Sequence, residues 1–246
     1  DAGLRIETRY FINTQSRPEA KAMIRSLFLS TQALSKGGNR PDGYPKTEFK
    51  KIAVVGAGLM GAGIAYVQAK AGIPTVLVDV SKENAEKGKD YSRRLVEKDV
   101  SRGKSTQEKG DKLLDLITTT DNYDDVKGAD LVIEAVFENE ELKAKITKQA
   151  EAVLGEDAVF GSNTSTLPIT GLAKASDRPE NFIGIHFFSP VERMGLVEII
   201  SGEKTTEATL AKAIDYVLAI RKTPIAVNDS RGFYTSRCFG TYTREG

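Results

Sequence analysis

KIAVVGAGLMGAG, Lys51 to Gly63, takes a short apolar run through a series of glycines and out into a helical pattern. Ile52 to Val55 is mostly β-branched and reads as a strand, and Gly56, Gly58 and Gly61, with Leu59 and Met60 between them, form G-x-G-x-x-G. Three glycines at that spacing also occur in ordinary turns, so the reading rests on what surrounds them. The helical pattern continues through GIAYVQAKAG to Gly72, and PTVLVD then gives a second apolar strand that ends in an acid, Asp79. The stretch is a complete βαβ unit.

Each part of the unit answers a physical need. Gly56 permits a tight exit from the strand, Gly58 lets a pyrophosphate approach the backbone, and Gly61 lets the helix pack close to the sheet. The helix N-terminus offers free N–H groups and the positive end of its dipole to phosphate oxygens. Asp79 follows the first glycine by about 20 residues, where a carboxylate meets the ribose hydroxyls of an adenosine and repels a 2′-phosphate. The prediction is a site for NAD rather than NADP. The alternative is another doubly wound domain, flavodoxin-like, whose glycines only make a turn.

Outward from this unit the chain reads as a globular protein, with 40% hydrophobic and 28% charged residues among 246. Its 35 Lys and Arg balance 34 Asp and Glu, which gives no support for nucleic-acid binding or a polybasic membrane contact. No apolar run is long enough to predict a membrane span. One cysteine, Cys238, excludes an internal disulfide and a cysteine-based metal site, and a reducing, cytoplasmic compartment is expected. The start at Asp1, without a Met, suggests a piece of a longer chain.

Residues 1 to 15 show no sustained period. From Ser16, with Pro18 in the first turn, a mostly helical spacing of apolar residues runs to Gly37 and Gly38. GGNRPDGYPKTEF follows as a linker, so the domain boundary is expected at about residue 47. Residues 81 to 115 are charge-rich and helical, the pattern of a solvated face. Strands are predicted at 117–120, 130–137, within AVFGSNTST, in NFIGIHFFS, at 196–200 and in TPIAVN, with helices in ELKAKITKQAEAVL and TTEATLAKAIDYVLAI. Strands alternating with helices predict a doubly wound, mostly parallel α/β sheet of Rossmann type, preceded by a linker helix. Ligands of such sheets sit at the carboxyl ends of strands, where Glu138, Ser162 to Ser165 and His186 fall.

His186 is the only histidine. It ends an apolar strand, and a following strand through Glu198 would set a carboxylate beside the imidazole. That pairing fixes the tautomer and frees the second ring nitrogen to take a hydroxyl proton as hydride leaves carbon. The bland reading of Glu198 is a strand-edge charge, and that of Ser162 to Thr166 is a helix cap.

Taken together, GAGLMGAGIA, VDVS, EAVFEN, SNTSTLPI, GIHFFSPV with LVEII, and DSRGFYTSR resemble the NAD-binding domain of the L-3-hydroxyacyl-CoA dehydrogenases. SRPEAKAMIRSLFLSTQ and GGNRPDGYP resemble the end of the hydratase region and the linker in the alpha subunits of multifunctional fatty-acid oxidation enzymes. The resemblance implies three parts: a hydratase end and linker to residue 47, an NAD-binding domain over 48–229, and the start of a helical dehydrogenase domain over 230–246. It implies His186 as catalytic base, Glu198 as its partner and Ser165 as the hydroxyl that bonds the substrate oxygen. Gly56, Gly58, Leu59, Met60, Gly61 and Asp79 match the NAD site, with Glu138 and Lys143 near its ribose and nicotinamide end. Asn163 is expected to shape the pocket, and Ser92 and Lys98 to lie near the acyl-CoA. Ser236 stands where single-function members carry Asn, so one substrate contact is expected to be shorter, lost or water-mediated.

The implied activity is oxidation of an L-3-hydroxyacyl-CoA to the 3-ketoacyl-CoA in β-oxidation, in a parent protein partnered by a thiolase subunit. Two rivals stay open: an NAD-binding piece without turnover, and a dehydrogenase of free 3-hydroxy acids that uses a lysine. The acid at Asp79 yields a direct test. Calorimetry should show NAD binding and much weaker NADP binding, and Asp79→Ala should weaken NAD and erase the preference; equal affinities in the unsubstituted chain would refute the reading.

Overall fold

Four-residue strands as apolar as IAVV, TVLV and LVIE bury both faces only when laid side by side in the middle of a sheet covered by helices. The computed structural model, which describes all 246 residues, does this. It divides into two compact units, Asp1–Gly38 and Asn39–Gly246.

The first unit is helical: α1 (Ala2–Gln15), α2 (Pro18–Met23), a π-wound stretch Ile24–Ser30, and α3 (Thr31–Ser35). α1 escapes a periodicity reading because Tyr10, Phe11 and Ile12 are consecutive and make no stripe. The single helix expected from Pro18 onward is wider-wound in its middle, where Ser30 Oγ and Thr31 Oγ1 donate to carbonyls five residues back, on Arg25 and Ser26. Gly37, at φ 82°, ends the run.

In the second unit β1 (Ile52–Val55), α4 (Leu59–Lys70) and β2 (Thr75–Val78) form the expected βαβ unit. Two helices follow, α5 (Lys82–Ser101) and α6 (Gln107–Asp115), then β3 (Ile117–Thr120), β4 (Leu131–Glu134), α7 (Glu140–Glu151), β5 (Val159–Ser162) and a short α8 (Ile169–Leu172). β6 (Phe182–Phe187), β7 (Leu196–Ser201), α9 (Glu207–Ala219), β8 (Thr223–Asn228) and α10 (Thr235–Glu245) complete it. One eight-stranded sheet results, in the order β3-β2-β1-β4-β5-β6-β7-β8. Every pair is parallel except β6 with β7. Two apolar layers form its core: Ile64, Leu77, Ile185 and Tyr216 lie in one, and Val55, Val132, Phe160 and Phe182 in the other.

The break between units falls at Gly38, ahead of the boundary expected at residue 47. The reason is Arg40. Its guanidinium donates to both carboxylate oxygens of Asp215 on α9, at 2.7 and 3.0 Å, and to the carbonyls of Tyr44 and Pro45. Asp215 also accepts from the Thr47 N–H at 2.9 Å, so the polar stretch read as a linker is strapped to the domain. Asp215, whose hydrogen bond is the main cause, raises the Arg40 pKa above its ordinary value.

This pair should dominate over the exposed ones. Asp215→Ala leaves a largely buried guanidinium unpaired and should cost about 3 kcal/mol, read as a lower urea midpoint. Lys112→Ala, which breaks an exposed pair with Glu108, should change stability by less than about 0.5 kcal/mol.

Candidate active site

The glycine turn is built as its sequence demands. Gly56 leaves β1 at φ 100°, a backbone state that a side chain resists, and a Cβ there would lie 2.7 Å from the Ala135 carbonyl oxygen. A Cβ on Gly61 would stand 1.7 Å from the Gly56 oxygen. Gly58 is different: it is exposed, its φ of −66° suits any residue, and nothing lies within 4 Å of a Cβ built there. Its glycine serves no internal contact and leaves room for a ligand. Leu59 beside it is exposed, whereas Met60 packs against the core.

The α4 N-terminus adds a second mark of fit. α5, α6, α7 and α9 are capped by the side chains of Ser81, Thr106, Asn139 and Thr206, whereas α4 starts from Gly58 with no side-chain cap. Asp79, at the end of β2, accepts from the Ala57 N–H at 2.7 Å and the Val80 N–H at 2.8 Å, which holds its carboxylate against the glycine turn. Open backbone, uncapped helix and adjacent acid suit a dinucleotide's pyrophosphate and ribose. Gly88 of α5 was not flagged by the charge pattern around it, yet a Cβ there would lie 2.7 Å from that of Ala57. It brings α5 down onto the turn.

On the other side of β1, the end of β4 carries a fully buried acid, Glu134. It accepts from Lys143 Nζ at 2.8 Å, the Val136 N–H at 2.7 Å and Ser162 Oγ at 2.7 Å. Lys143, expected at the nicotinamide end, is itself buried and also reaches Glu138 Oε2 at 3.3 Å. Glu138 Oε1 accepts from Thr164 Oγ1 at 2.7 Å, the Ser165 N–H at 2.9 Å, the Thr166 N–H at 3.1 Å and Ser165 Oγ at 3.2 Å. Burial pushes the Glu138 carboxyl up, but Thr164, Lys143 and the two backbone amides outweigh it and hold it below its ordinary value. Glu138 thus fixes the loop that presents the exposed Ser165. The clue to Glu134 was an acid inside the apolar run DLVIEAVF.

The antiparallel step between β6 and β7 sets His186 opposite Glu198. His186 Nδ1 lies 2.7 Å from Glu198 Oε2, and both residues are buried. Glu198 also accepts from the Tyr234 and Thr235 N–H groups and from Thr235 Oγ1. With every neighbour donating, the carboxylate stays ionised and the shared proton resides on Nδ1. Burial alone would raise the Glu198 pKa, yet donation from His186 and Thr235 brings it below the ordinary value. Nε2 makes no hydrogen bond to the protein and is free to accept. Phe188 and Phe233 flank the ring, at centroid distances of 4.6 and 5.8 Å.

Asn163 joins this group from the residue after β5, accepting the Phe187 N–H at 2.9 Å next to His186. Ser236 is half-buried in the first turn of α10, adjacent to Thr235. Ser92 and Lys98 lie on α5, Ser92 buried with its hydroxyl unpartnered and Lys98 exposed. The structure thus brings together His186, Glu198 and Asn163, and separately Ser165, Glu138 and Lys143. It gives Ser92 and Lys98 no recorded contact with either group. Thr235 was missed, because a threonine in DSRGFYTSR carries no signal of its own.

The chain as a whole is similar to known proteins. The family model described as 3-hydroxyacyl-CoA dehydrogenase, NAD binding domain, matches residues 51–230. The fatty acid oxidation complex subunit alpha of Shewanella amazonensis is 42% identical over 246 residues, all of this chain and 35% of that protein. The chain therefore spans about a third of the length of the curated relatives it matches. Among solved structures, (S)-3-hydroxybutyryl-CoA dehydrogenase PaaH1 from Ralstonia eutropha superposes with a TM-score of 0.78 at 38% identity, covering 80% of this chain and 70% of that one. M. tuberculosis FadB2 gives 0.77 at 34% identity, with the same coverage of each chain.

The contrast between two glycines supplies a test. Gly61→Ala should lower stability by about 2–3 kcal/mol through backbone overlap, read as the thermal midpoint. Gly58→Ala should leave that midpoint unchanged and weaken NAD binding by about tenfold or more; undiminished binding would deny the open backbone its role.

Proposed function

Because this chain belongs to the family of 3-hydroxyacyl-CoA dehydrogenase NAD-binding domains, we propose that it carries the dehydrogenase site that converts an L-3-hydroxyacyl-CoA to the 3-ketoacyl-CoA. The observation that carries the reading is the buried His186–Glu198 pair at the carboxyl end of β6, in the same sheet as a glycine turn open at Gly58. NAD, when bound, supplies the hydride acceptor.

The protein's own part begins with Glu198, which holds Nδ1–H and so leaves the Nε2 lone pair free to accept. Nε2 takes the substrate's hydroxyl proton as hydride departs, and the buried carboxylate stabilises the imidazolium formed. Ser165, fixed by Glu138, presents its hydroxyl to the substrate oxygen; four other donors on Glu138 Oε1 leave that hydroxyl free to turn. Asn163 anchors the backbone after His186 and keeps the base in register with this loop. Lys143 acts on the cofactor site through Glu138, whose carboxylate it steadies. Gly58 and the α4 N-terminus receive the pyrophosphate, and Asp79 the adenosine ribose. Ser92, Lys98 and Ser236 remain assigned to the acyl-CoA by resemblance.

A 3-ketoacyl-CoA is the substrate of thiolytic cleavage, which supports a thiolase subunit as the parent's partner. No helix is long and apolar enough to cross a membrane. Cys238 is a free, exposed thiol, which suits a reducing compartment, and we propose the cytoplasm for the parent.

The test is NADH formation from 3-hydroxybutyryl-CoA. His186→Ala should cut the rate by a factor of about 10² to 10⁴ while NAD still binds. A rate indifferent to this substitution, or turnover of free 3-hydroxy acids in place of the thioester, would overturn the reading. NAD binding without turnover in the unsubstituted chain would leave a cofactor-binding unit that lacks catalytic competence alone.

A further inference from the structure

Thr235 is the first residue of α10, one place after the cap position held by Tyr234, whereas Ser81, Thr106 and Thr206 hold the cap positions of their helices and accept an amide of the first turn. Thr235 makes no such bond. Its Oγ1 instead donates to Glu198 Oε2 at 2.9 Å, the same oxygen that lies 2.7 Å from His186 Nδ1. The other oxygen, Oε1, already accepts the Tyr234 and Thr235 N–H groups at 3.2 and 2.8 Å. The hydroxyl is therefore not needed to satisfy Oε1, and it shares one acceptor with the imidazole.

We propose that Thr235 is a positioning residue for the catalytic base: its hydroxyl divides the acceptor strength of Glu198 Oε2 and so sets how tightly His186 Nδ1–H is held. A proton shared with a carboxylate that has no other donor on that oxygen is drawn further toward it, and each donor added to the oxygen reduces the pull. Thr235 thus fixes the ring's place from the α10 side and limits how much charge the carboxylate lends to Nε2. The surroundings leave few competitors. The titratable side chain that meets Glu198 is His186 from β6, its register partner on β8 is Ile225, and α10 contributes two backbone amides and this hydroxyl. The ring itself meets Phe188 and Phe233. The lowered Glu198 pKa, to which Thr235 contributes through both its amide and its hydroxyl, accords with this arrangement.

The inference rests on His186 being the base of the proposed dehydrogenase, but its test needs no turnover, so the two fail separately. Because the chain has one histidine, the imidazole N–H proton has a single, unambiguous NMR resonance. In Thr235→Val that resonance should move downfield, and the Glu198 carboxyl carbon should titrate at higher pH, because one of the donors that hold the carboxylate down is gone. Thr235→Ser keeps the hydroxyl and should restore both. A folded Thr235→Val chain with both signals unmoved would overturn the proposal, as would a Thr235→Ser chain displaced as far as Thr235→Val. If the valine variant does not fold, Thr235→Ala, which is smaller and needs no repacking, makes the same comparison.

Discussion

A carboxylate with no exposure to water must find donors for its lone pairs or lose its charge, and Glu198 finds them from two elements at once. One is the imidazole of the neighbouring strand, delivered by the antiparallel register that sets His186 opposite Glu198. The other is the start of α10, which gives two amides and a hydroxyl. Parallel pairing would have needed a long crossover to bring the two residues level. A single reversal of direction between β6 and β7 does it with a short connection, which is why the sheet departs from all-parallel order where the base sits.

The same logic recurs on the β4 side. Glu134 is buried more completely than any function facing solvent would allow, and its partners are Lys143, Ser162 and a backbone amide. Lys143, drawn in by that charge, is left with a donor for Glu138, and Glu138 in turn gathers the amides of Ser165 and Thr166. A charge in the core thereby fixes a loop at the surface through three side chains. Such a network is stiff because removing Lys143 would leave the fully buried Glu134 without a counter-charge. Polar groups that would be poor stabilisers elsewhere are thus suited to hold a reactive loop still.

The parts of this arrangement legible in the sequence were those with a local signature. The glycine turn, the apolar strands and the acid at Asp79 follow from spacing that the chain itself dictates. The nearness of His186 and Glu198 also followed, because two consecutive strands flank one turn. Gly88, Glu134 and Thr235 did not. Each acts on a residue remote in sequence, Gly88 on Ala57, Glu134 on Ser162, Thr235 on Glu198, and no periodicity records such a contact. Arg40 escaped for the same reason: its partner Asp215 lies on α9, so a stretch rich in Gly and Pro read as a free linker. α1 was lost for a different reason, since its apolar residues are adjacent rather than spaced.

The two halves of the site work by different means, and the strand order shows why they meet. Chain direction across the sheet turns at β1 and β4, neighbours in space although β2 and β3 lie between them in sequence. Their carboxyl ends open side by side, so Gly56 sits 2.7 Å, measured from a would-be Cβ, from the Ala135 carbonyl. On the β1 side recognition is by backbone: bare glycine, free amides, a helix end. On the β4 side, through β5 to β6 and β7, it is by side chains locked in ionic networks. A ligand long enough to lie across that crevice meets charge-neutral backbone at its phosphates and oriented side chains at its reactive end. The first tolerates no Cβ at Gly56 or Gly61, and the second depends on its partners.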